Sequence, residues 1–186
     1  MEFFPYLFEA VYVRDMRFRV FIAQSLDGYI ARPDGAIDWL RPFDTVDYGY
    51  ETFLSEVGTI VMGRKSYELA RSFGEWPYSS ARSLVITSQV LGEMPPTVTR
   101  TGADIARLGA ALRASGGKDV WVMGGAMTIN AFLEVQMIDR IDLFTIPILL
   151  GYGIPLFSGG RPETQLKLAG TQAYDKGLVR LSYVRA

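Results

Sequence analysis

The chain has 186 residues, 49% of them apolar and 21% charged, enough for one domain with a sizeable core, and this balance excludes disorder as the main state. Nineteen Lys and Arg nearly cancel twenty Asp and Glu, so no broad field exists to gather nucleic acid or an anionic membrane surface. With neither Cys nor His, the chain has no disulfides, thiolate nucleophiles, Ser-His triads or zinc sites built on imidazole or sulfur; no metal site is expected, and acid–base work falls to carboxylates, tyrosines, lysines or water.

The first thirteen residues are apolar, yet they carry Glu2 and Glu9 and lack both a basic start and a small-residue cleavage site, so they do not read as a secretion signal. No apolar run approaches the roughly 20 residues that span a bilayer, and a soluble, cytoplasmic protein is expected. Residues 1–16 read either as an added edge segment at a subunit contact or as residues ahead of the true start. Residues 17–186 read as a single domain.

From Arg17 to Gln24, Phe18, Val20 and Ile22 alternate while Phe21 and Ala23 fill the other side, the pattern of a strand covered on both faces. Turn signals at Ser25-Leu26-Asp27-Gly28 and Pro33-Asp34-Gly35 make a long polar loop up to Trp39. Tyr48 to Val57 reads as a helix with Tyr50, Phe53, Leu54 and Val57 on one side, followed by a strand from Thr59 to Met62 and a helix opening near Lys65. Next come a strand Ser83 to Thr87, a weaker one near Val98, a helix from Asp104 to Ala114 with Asp104 as N-cap, and a strand Asp119 to Met123 leading into a helix that ends near Glu134. Arg140 to Ile146 is a strand and residues 147–160 a connection punctuated by Pro and Gly. Leu166 to Tyr174 and Val179 to Arg185 form a hairpin around Asp175-Lys176-Gly177. Strand–helix alternation followed by antiparallel strands predicts an α/β fold: a mixed, mainly parallel central sheet, helices on both faces and an antiparallel C-terminal hairpin.

Two corners stand out chemically. At Val61-Met62-Gly63-Arg64-Lys65-Ser66 a buried strand ends in Gly and opens a helix, which aims free N–H groups, two cations and a hydroxyl at one place and suits a dinucleotide phosphate; a basic turn at a helix start has the same composition. At Met123-Gly124-Gly125-Ala126, paired glycines allow a ligand to approach the main chain, and tight helix–strand packing would demand the same glycines. Thr87 and Ser88 end a third strand, either as hydroxyls for an adenosine phosphate or as simple strand terminators. No Gly-x-Gly-x-x-Gly stretch follows a strand and no Walker-type lysine loop is present, so a standard Rossmann site and ATP chemistry lack support.

In order along the chain, Ser25-Leu26-Asp27-Gly28-Tyr29-Ile30-Ala31, Asp38-Trp39-Leu40, Met62-Gly63-Arg64-Lys65-Ser66-Tyr67-Glu68, Thr87-Ser88, Met123-Gly124-Gly125 and Pro147-Ile148-Leu149-Leu150-Gly151 resemble the dihydrofolate reductase-like superfamily. The likeness is closer to the branch that resembles the C-terminal reductase domain of the bifunctional riboflavin-synthesis enzyme. That resemblance implies a dihydrofolate reductase-like fold and an NADPH-dependent reductase. Gly63, Arg64, Lys65 and Ser66 would hold the cofactor phosphates, Thr87 and Ser88 the 2′-phosphate side, and Gly124, Gly125 and Ala126 the pyrophosphate and nicotinamide ribose. Ala23, Ile30, Met123 and Thr128 complete the implied cofactor site, and the loop from Ser25 to Trp39 would close over the nicotinamide. Tyr48, Phe53, Ile146, Pro147 and Leu150 would line the substrate pocket.

For the proton, Asp27 and Asp44 are the candidate carboxyl groups, with Trp39 screening one of them from water and so raising its pKa. Asp27 alternatively orients the loop or makes an Asp-Gly turn, and Asp44 alternatively caps the helix at Tyr48. The first expectation for the substrate is a planar heterocycle of pterin or dihydrofolate type. The alternative is a phosphoribosylated aminopyrimidine, whose phosphate needs a second cationic pocket drawn from Arg32, Arg41 or Arg161, each of which also reads as an ordinary surface charge. A third reading is a noncatalytic nucleotide-binding module. A homodimer is expected.

Overall fold

A computed structural model describes residues 15–159 and 163–186; Arg161 and residues 1–14 of the leader lie outside the described residues. The first strand, β1 (Phe18–Ser25), is central. Its side chains alternate as the sequence predicts: Phe18 and Val20 join one core, while Phe21 and Ala23 join the other. A short strand β2 (Tyr29–Ala31) and a 3-10 turn over Asp38–Phe43 follow, then α1 (Tyr50–Glu56), β3 (Val57–Gly63) and α2 (Arg64–Ser72). β4 (Arg82–Ile86), β5 (Val98–Thr101), α3 (Ile105–Ser115), β6 (Asp119–Gly124) and α4 (Ala126–Glu134) continue the alternation. The chain ends in β7 (Arg140–Ile146), β8 (Ile154–Pro155), β9 (Leu166–Ala173) and β10 (Val179–Arg185).

Eight strands form one sheet in the order β5-β4-β3-β6-β1-β7-β10-β9. All pairs from β5 to β7 are parallel, and the two pairs made by β10 are antiparallel. One face is covered by α1 and α2, whose Phe53, Tyr67 and Ala70 meet Phe21, Ile60, Met62, Phe144 and Ile146. The other is covered by α3 and α4, whose Leu112, Ile129, Phe132 and Leu133 meet Phe18, Val20, Val61, Val122 and Leu143. Each fully buried apolar side chain contributes about 1.5–3 kcal/mol relative to exposure. Met16, placed in the leader by the sequence reading, is buried in this second core. Among the described residues no helix is long and apolar enough to cross a membrane.

Two local differences from the sequence reading bear on the site. The helix expected from Tyr48 begins at Tyr50, and Val57 already belongs to β3. The connection after Pro147 is not wholly irregular: β8 pairs antiparallel with β2 in a separate two-stranded sheet. Such short segments carry no periodicity to detect.

The amino edge of the parallel sheet holds a buried ion network. Arg19 reaches Asp119 at 3.2 Å, Asp142 at 3.3 Å and Glu56, and its guanidinium carbon lies 4.8 Å from the centre of the Phe53 ring. Asp142 also receives Arg140 at 2.8 Å and the Ser182 hydroxyl at 2.6 Å. Burial pushes the Asp142 carboxyl upward, but hydrogen bonds from Arg140 and Ser182 and the charges of Arg140 and Arg19 outweigh it and hold the group below its ordinary value.

Candidate active site

Parallel strands bring their carboxyl ends to one edge, where open α/β sheets characteristically bind ligands. β3 ends there at Gly63, β4 at Ile86, β6 at Gly124, β1 at Ser25 and β7 at Ile146. α2, α3 and α4 all follow strands that end at this edge, and they begin differently. Asp104 caps α3 by accepting a hydrogen bond from Arg107 N at 3.0 Å, whereas α2 and α4, like α1, start on a glycine with no side-chain cap. Thr128 N turns back to Gly125 O at 3.0 Å, and the remaining first-turn N–H groups of α2 and α4 can serve an external acceptor.

The two starts also abut. A Cβ on Gly63 would sit 3.0 Å from Thr128 Oγ1, and one on Gly125 would sit 3.8 Å from Ser66 Oγ. Gly124 has φ +119°, which side-chain-bearing residues rarely adopt, and the Gly124–Gly125 peptide is cis. Arg64 pairs with Glu68 one turn along α2, and Lys65 is exposed beside it. Just past the end of β4, Thr87 N donates to Thr101 O at 3.1 Å and Thr87 Oγ1 accepts from Gln89 N at 3.0 Å, with Ser88 exposed between them. The structure therefore brings Gly63, Arg64, Lys65, Ser66, Gly124, Gly125, Ala126 and Thr128 to one corner across the neighbouring strands β3 and β6, with Thr87 and Ser88 on β4 flanking it. Met123 is packed on the α1–α2 side, as is Ala23 opposite Phe144 on β7. Ile30 packs instead against the α3–α4 core, away from Ala23, because β2 has left the main sheet.

Asp27 takes the loop-orienting role that the sequence offered beside proton donation. Its carboxylate accepts from Ser25 Oγ at 2.6 Å, Leu150 N at 3.1 Å and Gly151 N at 2.7 Å. The Ser25 hydroxyl, helped by the Gly151 and Leu150 amides, holds the group below its ordinary value. An exposed carboxylate so held is ionised at neutrality and ties two loops together, so the raised pKa expected for it is corrected. Further ties join the same loops: Leu26 N to Ile148 O, Leu156 N to Gly28 O, and the buried Asn130 amide to Leu156 O at 3.0 Å. A Cβ on Gly153 would stand 2.4 Å from the Ala31 carbonyl oxygen, so only glycine permits this approach.

Asp44 is exposed after the 3-10 turn, and Trp39 is buried in the α1–α2 core, so the expected screening of a carboxyl by Trp39 is not seen. Phe53 is also corrected. It is 3% exposed, stacks on Phe21 at 4.1 Å and meets Trp121 edge-on at 5.2 Å, sealed toward the amino edge beneath Arg19 instead of lining a pocket.

Tyr48 does reach the upper floor: half-buried, it meets Phe144 edge-on at 5.4 Å, and burial first, then the charges of Asp44 and Glu51, push its phenol up. Ile146 is buried at the end of β7, Leu150 is half-buried against the same core, and Pro147 is exposed with Gly177 close against it. Sequence reasoning missed Tyr50 and Tyr78, a bonded phenol pair beside Trp121, both pushed up chiefly by burial. It also missed the hairpin wall: Tyr174 and Leu178 pack into this core, and Lys176 Nζ donates to the Pro42 carbonyl and, at 2.9 Å, to Thr45 Oγ1. Only the isolated Asp-Lys-Gly turn hinted at it. Of the cations considered for a substrate phosphate, Arg32 is engaged in a two-point pair with Asp38 at 2.7 and 3.0 Å, and Arg41 is exposed.

The RibD C-terminal domain family matches residues 18–180, almost the whole of this sheet and every element of the site. The chain belongs to that family. A relative from Bacillus subtilis strain 168, the uncharacterized protein YwjB, is 37% identical over 169 residues, covering 90% of this chain and 97% of that one. The riboflavin biosynthesis protein RibD of Corynebacterium ammoniagenes is 26% identical over 167 residues; the match spans 83% of this chain but 49% of that longer protein. The crystal structure of a putative riboflavin biosynthesis protein from Shewanella sp. PV-4 superposes with a TM-score of 0.82 at 32% identity, over 92% of this chain and 99% of the other. The dihydrofolate reductase-like α/β fold of the RibD branch is thus the fold of this chain.

Proposed function

We propose that this RibD-family domain is an NADPH-dependent reductase acting on a phosphoribosylated aminopyrimidine of the riboflavin-pathway type. One observation carries the reading: two uncapped helix starts, those of α2 and α4, lie side by side on neighbouring strands at the carboxyl edge, with Ser66 and Thr128 hydroxyls between them. Such a corner fits a dinucleotide pyrophosphate, with Arg64 and Lys65 adding charge and Thr87 and Ser88 flanking the adenosine side. When bound there, NADPH supplies the hydride for reduction of a C=N or C=O carbon.

The chain's own part is positioning and proton supply. The Asp27 clamp fixes loop 25–28 against loop 148–151, and with them the rim over Ala23 and Ile146. Tyr48, whose half-buried phenol lies at this edge with its ring edge-on to Phe144, is the group we assign to donate the proton to the substrate atom, with solvent returning it after turnover. The aminopyrimidine replaces the pterin first expected because the sequence relatives run to RibD, because the Asp27 carboxyl is held below its ordinary value, and because Asp44 is exposed.

The test is NADPH oxidation with the deaminated phosphoribosylaminopyrimidine as acceptor, run beside dihydrofolate. Turnover with the first and not the second is expected. Turnover with dihydrofolate alone would return the pterin assignment, and NADPH binding without oxidation of either would point to a noncatalytic nucleotide module.

A further inference from the structure

The two ends of the eight-stranded sheet are finished differently. β5 is four residues long, follows Pro95 and Pro96, and carries the exposed Arg100, the short and charged form in which natural sheets blunt an edge. β9, at the other end, has eight residues and no proline, and all eight are exposed, so neither helix layer covers it. Its inner side pairs with β10 from Leu166 to Ala173, and among the described residues nothing pairs with its outer side. Leu166 and Leu168, 39% and 57% exposed, stand opposite Arg185 and Tyr183. Because Tyr183 packs on the α3–α4 core, Leu168 carries that apolar face outward past the helices.

Tyr174 N donates inward to Leu178 O, and main-chain groups alternate along a strand, so Thr171 and Ala173 turn theirs outward. The register shift of β9 lies between Leu168 and Gly170 and leaves this outer stretch regular. An open edge of this kind is completed by another strand, and charge decides which one. Lys167, near the start of β9, and Asp175, just past its end, are both exposed and have no ion pair among the described residues. They are eight residues apart, about 27 Å along an extended strand, too far to meet within one chain. Of the charges around them, Lys176 bonds Pro42 O and Thr45 Oγ1, Arg180 bonds Gln172 Oε1, Arg185 bonds Gln136 O, and Glu163 precedes the strand.

We infer that β9 is the contact through which two copies of this chain pair, antiparallel about a two-fold axis at Thr171, into one continuous sheet. Antiparallel pairing sets the start of one strand against the end of the other, and Thr171 on the axis exchanges both hydrogen bonds with its own copy. Lys167 of each chain then comes to the level of the partner's Tyr174 and the partner's Asp175, so both unpaired charges are answered in both chains. A pairing centred on Ala169 instead brings Glu163 toward the partner's Asp175, like charges that oppose it. The same hairpin carries Tyr174 and Leu178 into the core beside the candidate site, so the contact braces one wall of it.

Sedimentation of the full chain at micromolar concentration tests the contact in wild type, Lys167→Glu, Asp175→Lys, the variant carrying both changes, and Thr171→Pro. Wild type should be a dimer. Each single reversal turns two ion pairs into two like-charge contacts and should weaken association about tenfold or more, and the double reversal, which restores opposite charges, should recover it. Proline at Thr171 removes an outward N–H that β10 does not use and should also give monomer. A monomeric wild type, or a dimer that every variant leaves unchanged, would overturn the inference. So would loss in both single reversals with no recovery in the double. Should Thr171→Pro not fold, the charge series carries the test, since Lys167 and Asp175 are both exposed. The measurement needs neither cofactor nor substrate, so its outcome is separate from that of the reductase reading.

Discussion

At the amino edge of the sheet, Arg19 is closed in by Asp119, Asp142 and Glu56, and each of those charges is answered within the fold. At the carboxyl edge β3 and β6 end in glycines, and the two helices that follow them begin without side-chain caps. Removing a partner at the first edge leaves a buried charge with fewer groups to answer it, whereas at the second the unanswered donors are what a ligand would engage. The fold's own balance is thus settled at one end, and its chemistry is left open at the other.

The largest effect should come from breaking the closed edge. Arg19→Leu leaves Asp142 with only Arg140 and Ser182, and Asp119 with only Arg17, and should cost about 3 kcal/mol in urea unfolding, with NADPH affinity retained by the folded fraction. At the open edge, Tyr48→Phe keeps the aromatic packing and removes the proton, so turnover should fall about 100-fold while NADPH affinity and melting temperature stay close to wild type.

Gly153→Ala tests the clamp that joins the two loops. Its Cβ would meet the Ala31 carbonyl oxygen, and the forced separation of β2 from β8 should cost about 1–3 kcal/mol. The smallest effect is on acid stability. Because the folded Asp142 carboxyl lies below its unfolded value near 3.9, its contribution is complete above that pH and is lost as pH falls through the folded value. Asp142→Asn should therefore show a flatter decline of stability below about pH 4.

The contrast between the edges was only half legible in the sequence. The carboxyl edge announces itself locally, since a run such as Thr59 to Met62 followed by Gly63 and two cations reads as a strand entering a helix start, and Met123-Gly124-Gly125 repeats the signal. Strand β1 was equally plain because both of its faces are apolar. The role of Asp27 in orienting the loop was among the readings, but its partners were not, because the amides of Leu150 and Gly151 lie more than a hundred residues away. Nothing near Asp27 distinguishes a tied carboxylate from a proton donor.

Phe53 lay on the correct helix face, but periodicity does not say how far along the sheet that face sits, and Arg19 and Trp121 draw it to the closed edge.

The central claim, that the open corner at α2 and α4 binds a dinucleotide phosphate, is tested most directly by fluorescence titration of NADPH and NADH against wild type and Arg64→Ala. Wild type should bind NADPH more tightly than NADH, and Arg64→Ala should weaken NADPH about 10–100-fold without loss of folding stability. Equal NADPH affinity in the two proteins, or no binding of either nucleotide by folded wild type, would contradict it.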